Sequence, residues 1–248
     1  MRQLSAHATS LVHGCAVCQD VYVRTIAGRW GGRSAAERRA ERRQRLIDAA
    51  TEIWSRSGWA AVTMRGVCAR TSLNDRYFYE QFSDRDGLLV AVWDSVRDDM
   101  LAEIETVFDA SADQPPLDAI CAVIRIVVER VQQDPGRAQI LLTQHAGSTP
   151  LQDRRAAALQ QASDLVMLAE QSYLLPDADR IGLRMDTLVG VGGFVELISA
   201  WQAGLLDVDA DHVIDHACRL AATLANPYLR REIAGAAPDE TGKRSVGS

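Results

Sequence analysis

The sequence predicts an all-α chain, with a small three-helix head followed by a larger helical body. Three observations predict this. Apolar residues recur at helical spacing from Leu46 onward, and no stretch alternates convincingly at period two, so no sheet is expected. Helix-start signals stand ahead of the apolar stripes, as in Ser34-Ala-Ala-Glu37 and Ser83-Asp-Arg-Asp86. Charge is also unevenly placed. Residues 29–85 hold twelve Arg against seven Asp and Glu, a net +5, whereas residues 86–248 hold thirteen basic and twenty-five acidic residues, a net −12. The 248 residues suffice for one large or two small domains with real cores, and the overall charge of −6 hides a basic front on an acidic rear.

Residues 1–33 show no sustained period and end in Gly28-Arg-Trp-Gly-Gly-Arg33, which reads as a disordered arm. From Ser34 a capping box opens the first helix, whose apolar stripe is Leu46, Ile47, Ala50, Ile53 and Trp54. Gly58 stands where a left-handed stop is expected. Thr63 is a suitable N-cap for a second helix that turns Val67 and Cys68 inward. Thr71-Ser72-Leu73 forms a turn, and Asn74 caps a third helix carrying Arg76, Tyr77 and Tyr79. Ser83-Asp-Arg-Asp86 then opens a long fourth helix. Beyond it the spacing predicts helices from Pro115 to about Asp134, a short one holding Ile140 to His145, and one of about 25 residues from Pro150 to near Leu175. The last two run roughly from Asp179 to Leu205 and from Asp209 to Asn226. The expected division is an arm over 1–33, a head over 34–84, a body over 85–230 and a flexible tail over 231–248.

Other classes find little support. The five Cys are scattered, so a disulfide framework is not expected and a reducing cytoplasm is the simplest setting. Cys15-Ala-Val-Cys18 lacks a second ligand pair, and the His212/His216 spacing is an ordinary helix-face pair, so neither metal nor cofactor is expected. The most apolar region, residues 187–206, is interrupted by Glu196 and contains three Gly in its first half, which suits a buried helix better than a membrane span. No nucleophile–base set or paired-carboxylate motif stands out, which argues against an enzyme.

Residues 63–82, two short helices around a polar turn behind an Arg-rich amphipathic helix, suit reading DNA through the major groove. Arg76 and Tyr77 are candidates for base edges, since Arg can bind guanine through O6 and N7 and Tyr can pack on a thymine methyl. The alternative is that Arg76 pairs with Asp75 or Glu80 on a solvated face. Arg29 and Arg33 in the arm are candidates for the minor groove. The run Arg38, Arg39, Arg42, Arg43 and Arg45 is equally an ordinary solvated helix face.

Around these helices the front end resembles the TetR family of transcriptional regulators. The resemblance runs from about Glu41 to Leu89. It rests on Ile47-Asp-Ala-Ala-Thr-Glu-Ile-Trp54, Gly58-Trp59, Thr63-x-Arg65, Tyr79-x-x-Phe82 and Asp84-Arg-Asp-Gly-Leu-Leu89. Five positions depart from the family pattern: Ser72 replaces the usual turn Gly, Gly66 an acid, Arg85 a Lys, and Asp75 and Glu80 bring acids into the recognition helix. The resemblance implies a helix-turn-helix DNA-binding domain followed by a helical ligand-binding and dimerisation domain. The implied function is a cytoplasmic, ligand-responsive repressor, acting as a homodimer on a palindromic double-stranded DNA operator, with no membrane partner.

The resemblance also implies roles for particular residues. Thr63, Arg65, Asn74, Tyr79 and Arg85 join Arg76 and Tyr77 at the DNA, with Thr63, Arg65, Tyr79 and Arg85 as phosphate contacts. Leu183, Thr187, Val191, Phe194 and Ile198 on the penultimate helix, with Val213, Ala217, Leu220 and Leu224 on the last, would form a four-helix dimer bundle. The same ridge is also compatible with an internal core. Trp93, Met100, Phe108, Gln144, His145, Met167, Tyr173 and Trp201 are candidates to line a small-molecule effector cavity, or are plain core. Two rival readings are a protein-binding adaptor with a degenerate head and a helical enzyme.

Overall fold

The computed structural model describes residues 34–111, 113–143 and 145–230. Among them every regular element is helical. Nine α-helices follow one another: α1 (Ala35–Ser57), α2 (Met64–Thr71), α3 (Asp75–Tyr79), α4 (Arg85–Ala110), α5 (Pro116–Gln133), α6 (Pro135–Leu142), α7 (Thr149–Glu170), α8 (Arg180–Gln202) and α9 (Ala210–Ala225). Short 3-10 turns at Trp59–Ala61 and Gln171–Tyr173, and one isolated bridge between Leu174 and Leu229, complete the described elements. Residues 34–40 and residues 41–230 fall into two compact units divided after Ala40. The expected arm, the tail and Gln144 lie outside the described residues.

The helix boundaries follow from their caps. In the box that opens α1, the Ser34 N–H donates to the Glu37 carboxylate at 2.5 Å and the Glu37 N–H to the Ser34 hydroxyl at 3.1 Å. Gly58, at φ +79°, ends α1 in a conformation that side chains resist. Thr63 caps α2 by accepting from the Gly66 N–H, and Asn74 caps α3 by accepting from the Tyr77 N–H. The cap of α4 is Asp84 and not the expected Ser83. Asp84 Oδ1 accepts from the Gly87 N–H at 2.7 Å, and Ser83 serves by donating its hydroxyl to the same carboxylate. These bonds, that from Gly87 first, hold the Asp84 carboxyl below its ordinary pKa.

Two helices end earlier than periodicity suggests. α6 stops at Leu142, so His145 stands outside it in a left-handed conformation at φ +45°. α7 stops at Glu170, where the chain tightens into the 3-10 turn before Leu174 extends.

Two apolar clusters hold residues 41–230 together. One gathers Leu46, Trp54, Val67, Phe78, Leu89 and Trp93 with Ile140 and Leu151, so it runs without a break across position 84. The other packs α5, α8 and α9 through residues such as Ile124, Val128, Leu183, Ile198 and Val213. Cys121 of α5 and Cys218 of α9, 97 residues apart in sequence, are paired as a disulfide with Cα atoms 5.4 Å apart. One such pair is not the framework that the scattered cysteines argued against, and their spacing did not announce it, because only the packing of α5 on α9 brings them together. Cys68 is a free, buried thiol. No helix among the described residues is long and apolar enough to cross a membrane.

Candidate nucleic-acid interface and body cavity

The head is an α2-turn-α3 unit braced by α1. Between the two helices Ser72 adopts φ 56°, ψ 31°, the left-handed conformation for which Gly is the usual residue. The Leu73 N–H reaches the Cys68 carbonyl at 3.1 Å and closes the turn. Three arginines of α1, expected on a solvated face, instead clamp this unit. Arg45 donates to the Thr71 carbonyl at 2.5 Å and Arg43 to the Gln81 carbonyl at 3.1 Å. The Arg42 and Arg43 guanidinium groups lie 4.9 and 4.4 Å from the ring centroids of Tyr77 and Phe82. Phe78 and Phe82 anchor α3 in the core below.

The residues expected at DNA form a mostly exposed patch. Thr63 and Arg65 project from the start of α2, while Asn74, Arg76, Tyr77 and Tyr79 project from α3 and its cap. Arg76 pairs with Glu80 at 3.2 Å, the arrangement expected on a solvated face, yet its side chain is 84% exposed. An exposed i,i+4 pair contributes only about 0.3–0.5 kcal/mol, so Glu80 holds Arg76 only weakly. Asp75, though exposed, lies beside Cys68. Burial, and then this neighbouring carboxylate, push the Cys68 thiol above its ordinary pKa.

Arg85 differs from expectation. Its Nε donates to the Val62 carbonyl at 2.6 Å and an Nη donates to the Trp59 carbonyl at 2.5 Å, with the guanidinium over the Trp59 indole. It ties the start of α4 to the 3-10 turn and is not a free phosphate-binding cation.

A second connection to α1 has no counterpart in the sequence reading. His145, fully buried, meets Trp54 edge-on at 5.3 Å and Trp59 at 6.5 Å. Burial first, and then the Arg155 charge, hold its pKa below the ordinary histidine value. At the start of α6, a Cβ on Gly136 would lie 2.7 Å from the Ser55 carbonyl oxygen, so only Gly permits this approach.

Between α4, α5, α7, α8 and α9 the body holds a partly open cavity of about 430 Å³. Leu101, Phe108, Ile124, Leu165 and Phe194 give it an apolar wall. Of the eight residues proposed for such a cavity, only Phe108 lines it. Trp93 lies in the first core cluster, His145 packs at α1, and Tyr173 joins the second cluster. Trp201 donates its indole N–H to the Val208 carbonyl, and Met100 and Met167 are half-buried away from the lining. Gln144 lies outside the described residues.

Sequence reasoning missed Glu170, which lines the cavity, is 2% exposed and keeps Oε2 buried without a hydrogen-bond partner. Burial pushes its carboxyl up to about 7. The stripe Ala158, Gln161, Ala162, Leu165, Val166, Glu170 on α7 was the available signal, since its i, i+3, i+4 spacing puts this Glu on an apolar face.

The ridge expected at a dimer interface is also largely internal. Leu183, Thr187, Ile198, Val213 and Ala217 are buried within the chain, because α8 and α9 turn these faces toward their own neighbours. Val191, Phe194, Leu220 and Leu224 line the cavity. Gly190 meets Leu224 of α9, whereas Gly192 and Gly193 border open space. The outward face of α8 carries Ile181 (73% exposed), Met185, Leu188 and Val189 (66% exposed), joined by Leu220 on α9.

Residues 46–92 match the family model of bacterial regulatory proteins of the tetR family. Over these residues the chain carries a tetR-family head. Solved structures agree on the fold. The fatty acid degradation regulator FadR from Bacillus halodurans is similar at 13% identity and TM-score 0.58, over 72% of this chain and 93% of that one. A TetR transcriptional regulator from Chloroflexus aurantiacus J-10-FL is similar at 19% identity and TM-score 0.55, over 78% and 100%. The multidrug binding protein EbrR, solved with imidazole, gives 19% identity and TM-score 0.56, over 72% and 94%. None of the curated proteins matches the chain. The tetR-family head makes this a DNA-binding transcription regulator of helix-turn-helix type.

Proposed function

We propose that this tetR-family chain is a cytoplasmic, ligand-responsive repressor that binds a palindromic operator as a homodimer. The observation that carries the reading is α3 itself. It is a capped helix anchored by Phe78, and it holds Arg76, Tyr77 and Tyr79 outward beside Thr63 and Arg65. Arg76 and Tyr77 read base edges, while Thr63, Arg65, Asn74 and Tyr79 position the head on phosphates.

The dimer contact is assigned to the outward apolar face of α8, with Leu220 of α9, in place of the buried ridge. Four large apolar side chains at helical spacing beside two open glycines favour a second helix pair lying against them. The cavity shares its α8 and α9 walls with this face, so a ligand there would bias how two copies pair. Through α4, and through the contact of His145 and Gly136 with α1, it would also bias head spacing. DNA affinity then falls by the ligand's differential affinity for the two arrangements. Ligand binding in the EbrR structure supports a small-molecule role for a body of this fold.

DNase footprinting of the full chain on the DNA upstream of its own gene and its neighbours tests the reading. The expected footprint covers two inverted half-sites ~34–36 Å apart, one helical turn. Protection of a single asymmetric site, or none, would overturn the dimeric-operator reading.

A further inference from the structure

The cavity holds an uncompensated acid. Glu170 sits at the end of α7 with Oε2 buried and unpartnered, and no ion pair to it is found among the described residues. The second acid on the wall, Asp186, accepts a hydrogen bond from the Tyr228 hydroxyl at 2.7 Å. That bond is the first cause that lifts the Tyr228 pKa to about 12, so the tyrosine stays a neutral donor to Asp186. The cationic side chain on the wall, Arg97, is already engaged by Asp94 at 3.1 Å and Asp98 at 2.7 Å. His216, also on the wall, is exposed. The acid left without a partner on the wall is therefore Glu170, and apart from Gln161 and Thr187 the rest of the lining is apolar.

A carboxylate out of water without a partner is costly, and either a proton or a cation relieves it. Burial pushes its pKa up to about 7, so near neutral pH the carboxyl is poised to take either. A ligand ammonium would do so while its hydrocarbon part covers the apolar wall, and the ion pair then forms where water does not screen it.

We propose that the cavity selects apolar molecules carrying one basic nitrogen, with Glu170 as the counter-carboxylate of the protonated amine. The proposal rests on the reading of this cavity as the effector site. An anionic amphiphile of the same length would place like charges together and is disfavoured.

Calorimetric titration of the full chain with decylamine, decanol and decanoate at about pH 8 tests it, using the natural protein, E170Q and E170L. All three probes share the hydrocarbon tail. Decylamine is expected to bind the natural protein at least tenfold more tightly than decanol, and decanoate most weakly. Both variants should lose the amine preference while decanol affinity is retained, which also shows that they are folded. Equal binding of amine and alcohol, a preference for decanoate, or an amine preference surviving in both variants would overturn the proposal while leaving the cavity a ligand site. Failure of all three probes to bind the natural protein would overturn the ligand-site reading and the proposal with it.

Discussion

Single residues of this chain carry conformational and electrostatic costs that can be measured. Ser72 occupies the left-handed turn between α2 and α3, where a Cβ costs about 1 kcal/mol relative to Gly. Ser72→Gly should therefore raise stability by up to about 1 kcal/mol in urea unfolding, without removing any contact to the core. Arg85 donates to two carbonyls of the 3-10 turn, and charge-assisted hydrogen bonds contribute about 1.5–3 kcal/mol. Arg85→Ala should lower the unfolding midpoint by the equivalent of about 2 kcal/mol, whereas a phosphate contact alone would leave it unchanged.

Glu170 makes stability depend on pH in an uncommon direction. Its folded pKa, about 7, lies above the ordinary 4.5, so between these values the native state binds more protons than the unfolded chain. The contribution is neutral below 4.5, turns destabilising as pH rises from 4.5 to 7 and is fully developed above 7. Thermal melts from about pH 5 to 9 should show a decline that Glu170→Gln abolishes, with a gain at high pH of up to roughly 3 kcal/mol.

Between helices, the less obvious coupling lies beside α4. α6 and the segment around His145 seat against the end of α1 and its 3-10 turn through Gly136, Trp54 and Trp59. In Gly136→Ala the new methyl would meet a backbone carbonyl that cannot step aside, costing about 1–3 kcal/mol as overpacking does. Amide exchange should then quicken in α6 and at the end of α1 before it does in α8 and α9. Uniform loss of protection would mean that this contact is not a separate joint.

The elements themselves were legible because caps and spacing are local. The Ser34 box, Thr63 and Asn74 work as read. The cap of α4 was one residue out because Ser and Asp both qualify, and geometry chose Asp84. His145 was placed in a helix because nothing in Thr143-Gln144-His145 announces the stop.

Across the whole molecule, apolar stripes told which residues are buried but not what buries them. Leu183 and Ile198 were a dimer ridge by resemblance, because spacing alone fits an internal core equally, and the fold turns them inward, leaving Ile181, Met185 and Val189 outside. The arginines of α1 were invisible as clamps for the same reason, since their partners on α2 and α3 lie 26 or more residues away in sequence. The cavity was least legible, because it depends on five helices meeting, and aromatic or Met character proved a poor guide beside one misplaced acid.

The account stands on α3 reading sequence while α2 holds the backbone. Its most direct measurement is a fluorescence-anisotropy titration of the footprinted site and a scrambled duplex over a salt series, with the natural protein, Arg76→Ala and Arg65→Ala. Arg76→Ala should lose about 1–3 kcal/mol of discrimination between the two duplexes at little change in salt slope. Arg65→Ala should weaken both duplexes alike and lower the slope by about 1. Indistinguishable behaviour of the two variants, or a natural protein that binds both duplexes equally, would contradict it.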